Sequence, residues 1–457
     1  MKRPAVTLAL CLAAAFTTLL DQSSLNTAVP ALRASLSAGE GSIQWIVAGY
    51  SLTFGLALVP SGRLGDAHGR KWLFVAGITL FSSAAIVAGT AQEAWVVAAA
   101  RLLQGVGAGT VNPQVLGIIQ ETFEGQKRTR ALGAYAIVGG IAGVIGPIVG
   151  GSLIGALGDA YGWRSVLLLN VPFGLITVPL AIRWFPHHTP ARRETAGLDL
   201  PGLALLGGVI LCLLLPFTMP RAQAALALAP VLLVALIAWE RRYARTGRTP
   251  ILLPALLRSR GYRTGTLIAT FQFGAALSAS LAITLHLQEK LGWSALHAGL
   301  TMLPGALGFA LLSSVGWRFA GRRNILWALI GSLIAVLSSI AVLHVVNDQW
   351  LSVSLAIAQF ASGAASGLIT SPNQALTLMH APLTSAGLAA AFLQLAQRVS
   401  ATIGTAAVAG VVLGAGGLAP ISYGLGICAA MLAAAVAVAA HDLVRDSLTS
   451  SLNIYTR

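Results

Sequence analysis

In the stretch FTTLLDQSSLN, Phe16 to Asn26, one carboxylate interrupts an otherwise apolar run. On a helix, Thr17, Thr18, Asp21 and Ser24 share one face by spacings of three and four residues. That places the Asp21 carboxylate in a polar stripe rather than against lipid. An aspartate at the centre of a membrane-spanning helix costs about 2.5–3.5 kcal/mol on insertion scales, so such residues are paired or functional. The chemistry open to it is proton exchange. Burial disfavours the charged form of a carboxyl and a nearby cation favours it, so a change of surroundings makes the group take up or release a proton. The competing reading is a structural aspartate that locks helix packing by hydrogen bonds.

Arg101 is the natural partner. Asp21 lies nine residues before Pro30 and Arg101 seven after Ala94, which at ~1.5 Å per residue gives depths of ~14 and ~10 Å in two helices of opposite direction. Arg101, Gln104, Ala108 and Asn112 share a face, so this helix has its own polar stripe; alternatively Arg101 only pins helices or snorkels. Further along, Arg398 shares a face with Gln394, Thr402 and Thr405, and Gln359, Ser362, Ser366, Thr370 and Asn373 recur at spacings of three and four. Such stripes line cavities and also pack helices. His286 is a proton-relay candidate by its ordinary pKa of about 6.5, or an interfacial histidine without a role.

These residues must be positioned by membrane helices. Of 457 residues, 56% are hydrophobic and only 9% charged, and the mean hydropathy is +0.79. No water-soluble core hides that much apolar surface, so the chain is expected to be an all-α integral membrane protein. Apolar stretches of about 20 residues, enough to cross a ~30 Å core, begin near Ala5, Ser42, Trp72, Ala94, Ala131 and Trp163. Two follow near Leu200 and Gln223, and six near Thr264, Ser294, Ile325, Trp350, Thr384 and Leu418. The expected arrangement is six, two and six, fourteen spans in all. The first twenty residues have the basic start and apolar body of a signal peptide, but the apolar run continues past Asp21, which argues against cleavage.

With both termini placed inside, 23 of the 29 Lys and Arg residues fall in inside loops. Four (Arg33, Arg164, Arg221 and Lys290) fall outside, and Arg101 and Arg398 lie within spans. This is the positive-inside bias, and it accounts for the net charge of +15 without nucleic acid. Cys11, Cys212 and Cys428 all lie in apolar spans with no ligand-spaced neighbour, so neither a disulfide nor a metal site is expected. GRLGDAHGRKWLF and VGWRFAGRRNILW align on Gly69 and Gly321, a faint internal repeat in which Arg318 stands where the first copy has Asp66.

Five stretches in order carry a family resemblance. GRLGDAHGRK (Gly62 to Lys71), RLLQGVGAG (Arg101 to Gly109), GGIAGVIGPIVGG (Gly139 to Gly151), LLDQSSLNTAVP (Leu19 to Pro30) and WRSVLLLNVPFG (Trp163 to Gly174) resemble motifs of the major facilitator superfamily. The set is similar to its fourteen-span drug:proton antiporters (DHA2-type), over nearly the whole chain. Ala67 stands where a basic residue is common, and Ser23 and Ser24 where Thr and an aliphatic residue are usual.

The resemblance implies two six-helix bundles around a cavity open alternately to either side, with two extra transmembrane helices and cytoplasmic termini. The corresponding divisions are 1–185 for the first bundle, 186–263 for the extra helices and a basic loop, 264–442 for the second bundle, and 443–457 for a tail. It implies efflux of small amphipathic compounds such as drugs or antibiotics, by proton antiport across the inner membrane. Asp21 and Arg101 would couple protons, and Thr17, Ser24, Asn26, Gln104, Asn112, Gln359, Asn373, Gln394 and Arg398 would line the cavity. Gly62, Gly65, Asp66, Gly69, Arg70 and Lys71 would form a gating loop. Gly139, Gly143, Gly146, Pro147, Gly150 and Gly151 would form the antiporter motif, with Pro147 bending its helix. No second-half acid is placed deep in a span, which favours neutral, weakly charged or anionic substrates over dications. The chain has no GxxxxGK[ST] nucleotide-binding loop. It is expected to be no enzyme and to need no cofactor beyond the proton gradient. The expected partners are small molecules, protons and the bilayer, with no nucleic acid, in a monomer. A single-metabolite exporter, a symporter or a non-transporting sensor on this fold are the alternatives.

Overall fold

The computed structural model describes residues 4–185, 199–218, 224–246, 256, 258–293, 295–319, 321–382, 386–414 and 419–455. Within lipid, every backbone polar group must bond inside its own segment, and helices answer that. Among the described residues there are fourteen α-helices. The first six are α1 (Pro4–Ser35), α2 (Glu40–His68), α3 (Arg70–Thr90), α4 (Ala94–Thr122), α5 (Gly125–Leu168) and α6 (Val171–Trp184). Two follow, α7 (Leu200–Thr218) and α8 (Ala225–Arg245). The remainder are α9 (Arg260–Leu285), α10 (Ala295–Val315), α11 (Arg322–Val345), α12 (Asp348–Met379), α13 (Ala386–Gly414) and α14 (Ala419–Tyr455). Among the described residues, ten helical stretches are long and apolar enough to cross a bilayer. One of them, Gly125–Trp184, has 60 residues, or ~90 Å at ~1.5 Å per residue, room for two crossings. The chain is a multi-pass membrane protein. Large side chains left exposed, such as Leu175, Ile176, Ile334 and Ile357, are the surface that lipid covers.

Three places bear on the expected layout. The fifth and sixth spans are parted at Gly158, where a φ of +70° suits a residue without Cβ; the side chain of Pro147, expected to bend this helix, lies outside the described residues. The sixth span is itself interrupted at Leu169 and Asn170, because Pro172 in the first turn of α6 has no N–H to give the carbonyl of Leu168. At the far end, α14 runs through the segment expected as a tail.

The helices group into two compact units. The first holds 1–131, 141–257 and 381–395; the second holds 132–140, 258–380 and 396–457. In the first, Leu25, Leu32, Ile46, Trp163 and Leu167 belong to one buried cluster. The extra helices α7 and α8 pack on each other, and α7 on α2. Asp199 caps α7 by accepting from the Gly202 N–H at 3.0 Å and ties α8 to it through the Trp239 Nε1–H at 2.8 Å. In the second unit, Ile283, Leu287, Leu351, Leu355, Val408 and Leu425 are part of a cluster. Asp442 on α14 gathers Arg260 of α9 at 2.8 Å and Arg322 of α11. Arg322 aligns with Arg70 in the internal repeat. The second copy keeps that cation, and its carboxylate comes from the last helix instead of the turn.

Close crossing of α2 and α4 depends on glycine. A Cβ at Gly105 would lie 2.3 Å from the Tyr50 carbonyl oxygen, and one at Gly109 would lie 2.4 Å from that of Phe54. The Thr53 hydroxyl donates across the crossing to the Leu102 carbonyl at 2.7 Å, and Ser61 to that of Gly109 at 3.0 Å. Gly105→Ala is therefore expected to separate the helices and cost about 1–3 kcal/mol, as overpacking does. Gly155→Ala, where nothing lies within 4 Å of the added carbon, is the neutral control in a thermal-unfolding assay.

Candidate functional site

The first unit brings Asp21 of α1 and Arg101 of α4 together. Both are 1% exposed, and Arg101 Nη1 lies 2.5 Å from Asp21 Oδ2. The guanidinium is held from three further sides. Nη1 also donates to Gln104 Oε1 at 3.0 Å, Nε donates to the Ile46 carbonyl at 3.3 Å, and the group stacks 4.4 Å above the Tyr50 ring. Tyr50 donates its hydroxyl to the Thr18 carbonyl at 3.3 Å. The second carboxylate oxygen, Asp21 Oδ1, accepts from Asn170 Nδ2 at 2.8 Å. Four places in the chain therefore converge on one ion pair: α1, α2, α4 and the break before α6. A buried pair survives desolvation only when its remaining polar atoms are also engaged. Two neighbouring atoms are not: Gln104 Nε2 and Asn170 Oδ1 are buried without a hydrogen-bond partner.

Several side chains of the polar stripes bond within their own helix. Thr17, Thr18 and Ser24 donate to carbonyls of their own helix, those of Ala13, Ala14, Ala15 and Asp21. Asn112 is buried and bonds the Ala108 carbonyl. The side chain of Asn26 lies outside the described residues. In the second unit, Asn373 donates to the Gly265 carbonyl at 2.8 Å, which ties α12 to α9. Gln359 is half-buried, and Arg398, also half-buried, lies close enough to Tyr135 to interact with it electrostatically. Gln394 is buried in the first unit with Nε2 unpartnered.

The stretch Gly62 to Lys71 is not a flexible loop. Helix α2 runs to His68 and α3 starts at Arg70, so Gly69 alone makes the turn, at φ +94°. Gly62 is needed for proximity, since its added Cβ would lie 2.8 Å from the Gly387 carbonyl oxygen, and Gly65 faces Gln114. Asp66 accepts from the backbone N–H groups of Gly387 at 3.0 Å and Leu388 at 2.9 Å, capping α13, and pairs with Arg70. Arg70 reaches on to Glu121 of α4 at 2.7 Å. Lys71 donates to the carbonyls of Ile182 and Phe185 at 2.7 and 3.2 Å, closing the C-terminus of α6 as lysines do. In the glycine-rich span, Gly146 meets Ser23, whose hydroxyl donates to the Ala142 carbonyl at 2.7 Å. A Cβ at Gly143 or Gly151 would meet nothing within 4 Å, so the close approach lies at Gly146 and not at those two. Gly139 and Gly150 are half-buried and buried.

Three site residues escaped the sequence reading. Asn170 carried a signal, a lone amide inside LLLNVPFG. Glu121 carried another, an acid at the inner end of α4. Tyr50 had none, since aromatics are common in such helices.

His286 follows α9 in a short π-helical turn. Burial, then the charges of Lys290 and His344, pull its pKa below the usual 6.5. The unfolded chain therefore binds this proton more readily than the folded one, so stability falls as pH drops below 6.5 and is restored above it. Thermal unfolding of His286→Gln should lose that acid-side decline if the buried imidazole causes it.

Residues 11–405 match the family model of the Major Facilitator Superfamily. The chain is 33% identical to the probable actinorhodin transporter of Streptomyces coelicolor, over 96% of this chain and 78% of that protein. It is 30% identical to the puromycin resistance protein pur8 of Streptomyces alboniger, over 87% and 80%. Its fold is similar to that of the proton:xylose symporter XylE, with a TM-score of 0.67 and 13% identity, over 95% of this chain and 94% of that one. Helices, crossings and motifs agree with this match, and the chain belongs to the Major Facilitator Superfamily of membrane transporters.

Proposed function

We propose that this transporter exports small amphipathic compounds by proton antiport through alternating access, and that Asp21 carries the proton. The observation behind the reading is the fully buried Asp21–Arg101 pair: an ionisable residue kept in a membrane helix at cost, with its charge balanced by a cation whose distance the transport cycle can change. Relatives named for actinorhodin transport and for puromycin resistance support export, and give actinorhodin and puromycin as first compounds to test. The fourteen helices and the loop charges support the fourteen-span branch with both termini in the cytoplasm; the form proposed is a monomer in the cytoplasmic membrane. A proton entering down the membrane potential supplies about 2.3 kcal/mol per 100 mV, more than the 1.4 kcal/mol of a tenfold gradient of neutral solute.

The test is a panel of such compounds on purified protein in proteoliposomes with an imposed pH gradient. Accumulation that collapses when a protonophore dissipates the gradient is expected. Accumulation indifferent to the protonophore would rule out proton coupling, and no movement of any compound would count against export.

A further inference from the structure

Asn170 sits where the helix ladder of the sixth span is interrupted, between Leu168 and Val171, with Pro172 following. It is 0% exposed. Its Nδ2 donates to Asp21 Oδ1 at 2.8 Å while its own Oδ1 has no partner. A buried amide oxygen left empty beside a proton-carrying carboxyl is costly unless it serves another state. A carboxylate can only accept hydrogen bonds, whereas a protonated carboxyl also donates one. An amide serves both by a half-turn about its terminal torsion: N–H toward the carboxylate, C=O toward the carboxylic acid.

We propose that Asn170 is a positioning residue for the coupling site, an amide that turns over with the protonation of Asp21 and joins that event to the break in the sixth span. When Asp21 takes a proton, its O–H finds the waiting Oδ1 and the N–H is released. When the proton leaves, the amide returns. Among the described residues, the charged group on Asp21 is Arg101 from α4; Tyr50 from α2 stacks on that guanidinium and donates its hydroxyl to the Thr18 carbonyl, and Gln104 is a neutral neighbour of Arg101. Arg101 favours the carboxylate and has no acceptor to offer the acid, whereas the amide oxygen of Asn170 lies beside Asp21 with no hydrogen-bond partner of its own.

The proposal rests on the reading of Asp21 as the coupling carboxyl, so its test reads protonation apart from transport. Two measurements are paired over a pH series: pH-gradient-driven uptake of a panel substrate in proteoliposomes, and the infrared band of a buried protonated carboxyl, expected to be lost in Asp21→Asn. A charge-assisted bond outweighs a neutral one, so Asn170→Leu should favour the acid form. Both the band and the uptake profile should then move to higher pH together, by about half to one unit, a three- to tenfold rise in proton affinity. Asn170→Asp, nearly isosteric, should split the band into two coupled steps. If both variants elute as folded monomers and keep the wild-type midpoints, Asn170 is a packing residue and the proposal is overturned. If Asp21→Asn leaves band and uptake intact, the coupling assignment itself fails, whatever Asn170 does.

Discussion

Asp21→Asn is expected to abolish uphill transport, so that the inside-to-outside ratio of substrate relaxes to about one under a pH gradient that drives accumulation in the wild type. The amide has the size of the carboxyl and still accepts from Arg101, but it cannot hold a proton, and a gradient does work only through a group whose protonation differs between the two faces. Substrate exchange at equal concentrations needs no proton and should survive. This split separates coupling from folding: a misfolded variant loses both. Wild-type accumulation by Asp21→Asn would remove the residue from the mechanism. Arg101 answers the complementary question. Arg101→Leu leaves Asp21 buried and uncompensated, which costs about 3–5 kcal/mol, whereas Asp21→Leu with Arg101→Leu removes both charges and should recover most of that stability. Thermal unfolding of the two single variants and the double closes the cycle, and the sign of the recovery tests whether the pair is retained for function.

How much of this was legible in the residues depends on what each relied on. The helices were, because apolar runs of membrane length leave little freedom, and the Asp21–Arg101 pair was, because two charges at matching depth in lipid must find each other. The family resemblance implies a gating loop around Gly69, whereas the glycines at 62 and 65 meet a packing need, room for Gly387 and Gln114, which a motif does not reveal. The hydroxyl stripe of α1 was read as cavity lining, yet threonine and serine in a helix can satisfy themselves on the preceding turn, and spacing alone does not reveal which way a hydroxyl turns. Asn170 was invisible as a partner for a simpler reason: it lies 149 residues from Asp21, and no periodicity spans that separation. In the C-terminal unit, Asn373 joins two helices through the Gly265 carbonyl and also lines a pocket beside Thr264, Gly265 and Thr377, a pairing of roles that spacing does not announce.

The second large effect is expected at Asp66. Its two oxygens accept from the Gly387 and Leu388 N–H groups at the start of α13 and hold Arg70 as well. A carboxylate there meets the positive end of the helix dipole and satisfies two donors that have no partner within the helix. Asp66→Ala removes all three interactions at once. Loss of a cap costs about 0.5–2 kcal/mol, and bonds to a charged group are worth about 1.5–3 kcal/mol, so hydrogen exchange at the two amides should accelerate at least about tenfold. Asp66→Asn keeps one acceptor without the charge and should fall between. Glu121→Gln touches only the outer side of Arg70, where the carboxylate is 26% exposed, and should leave the protection of α13 nearly unchanged. Equal protection in Asp66→Ala and wild type would mean that α13 begins independently of α2, and that the carboxylate serves Arg70 alone. A graded loss in the order Ala, Asn, Gln would instead identify the end of α2 as the support of α13. Any movement that frees the first turn of α13 must then break two charge-assisted bonds at Asp66, which makes the carboxylate a restraint on that movement as well as a contribution to stability.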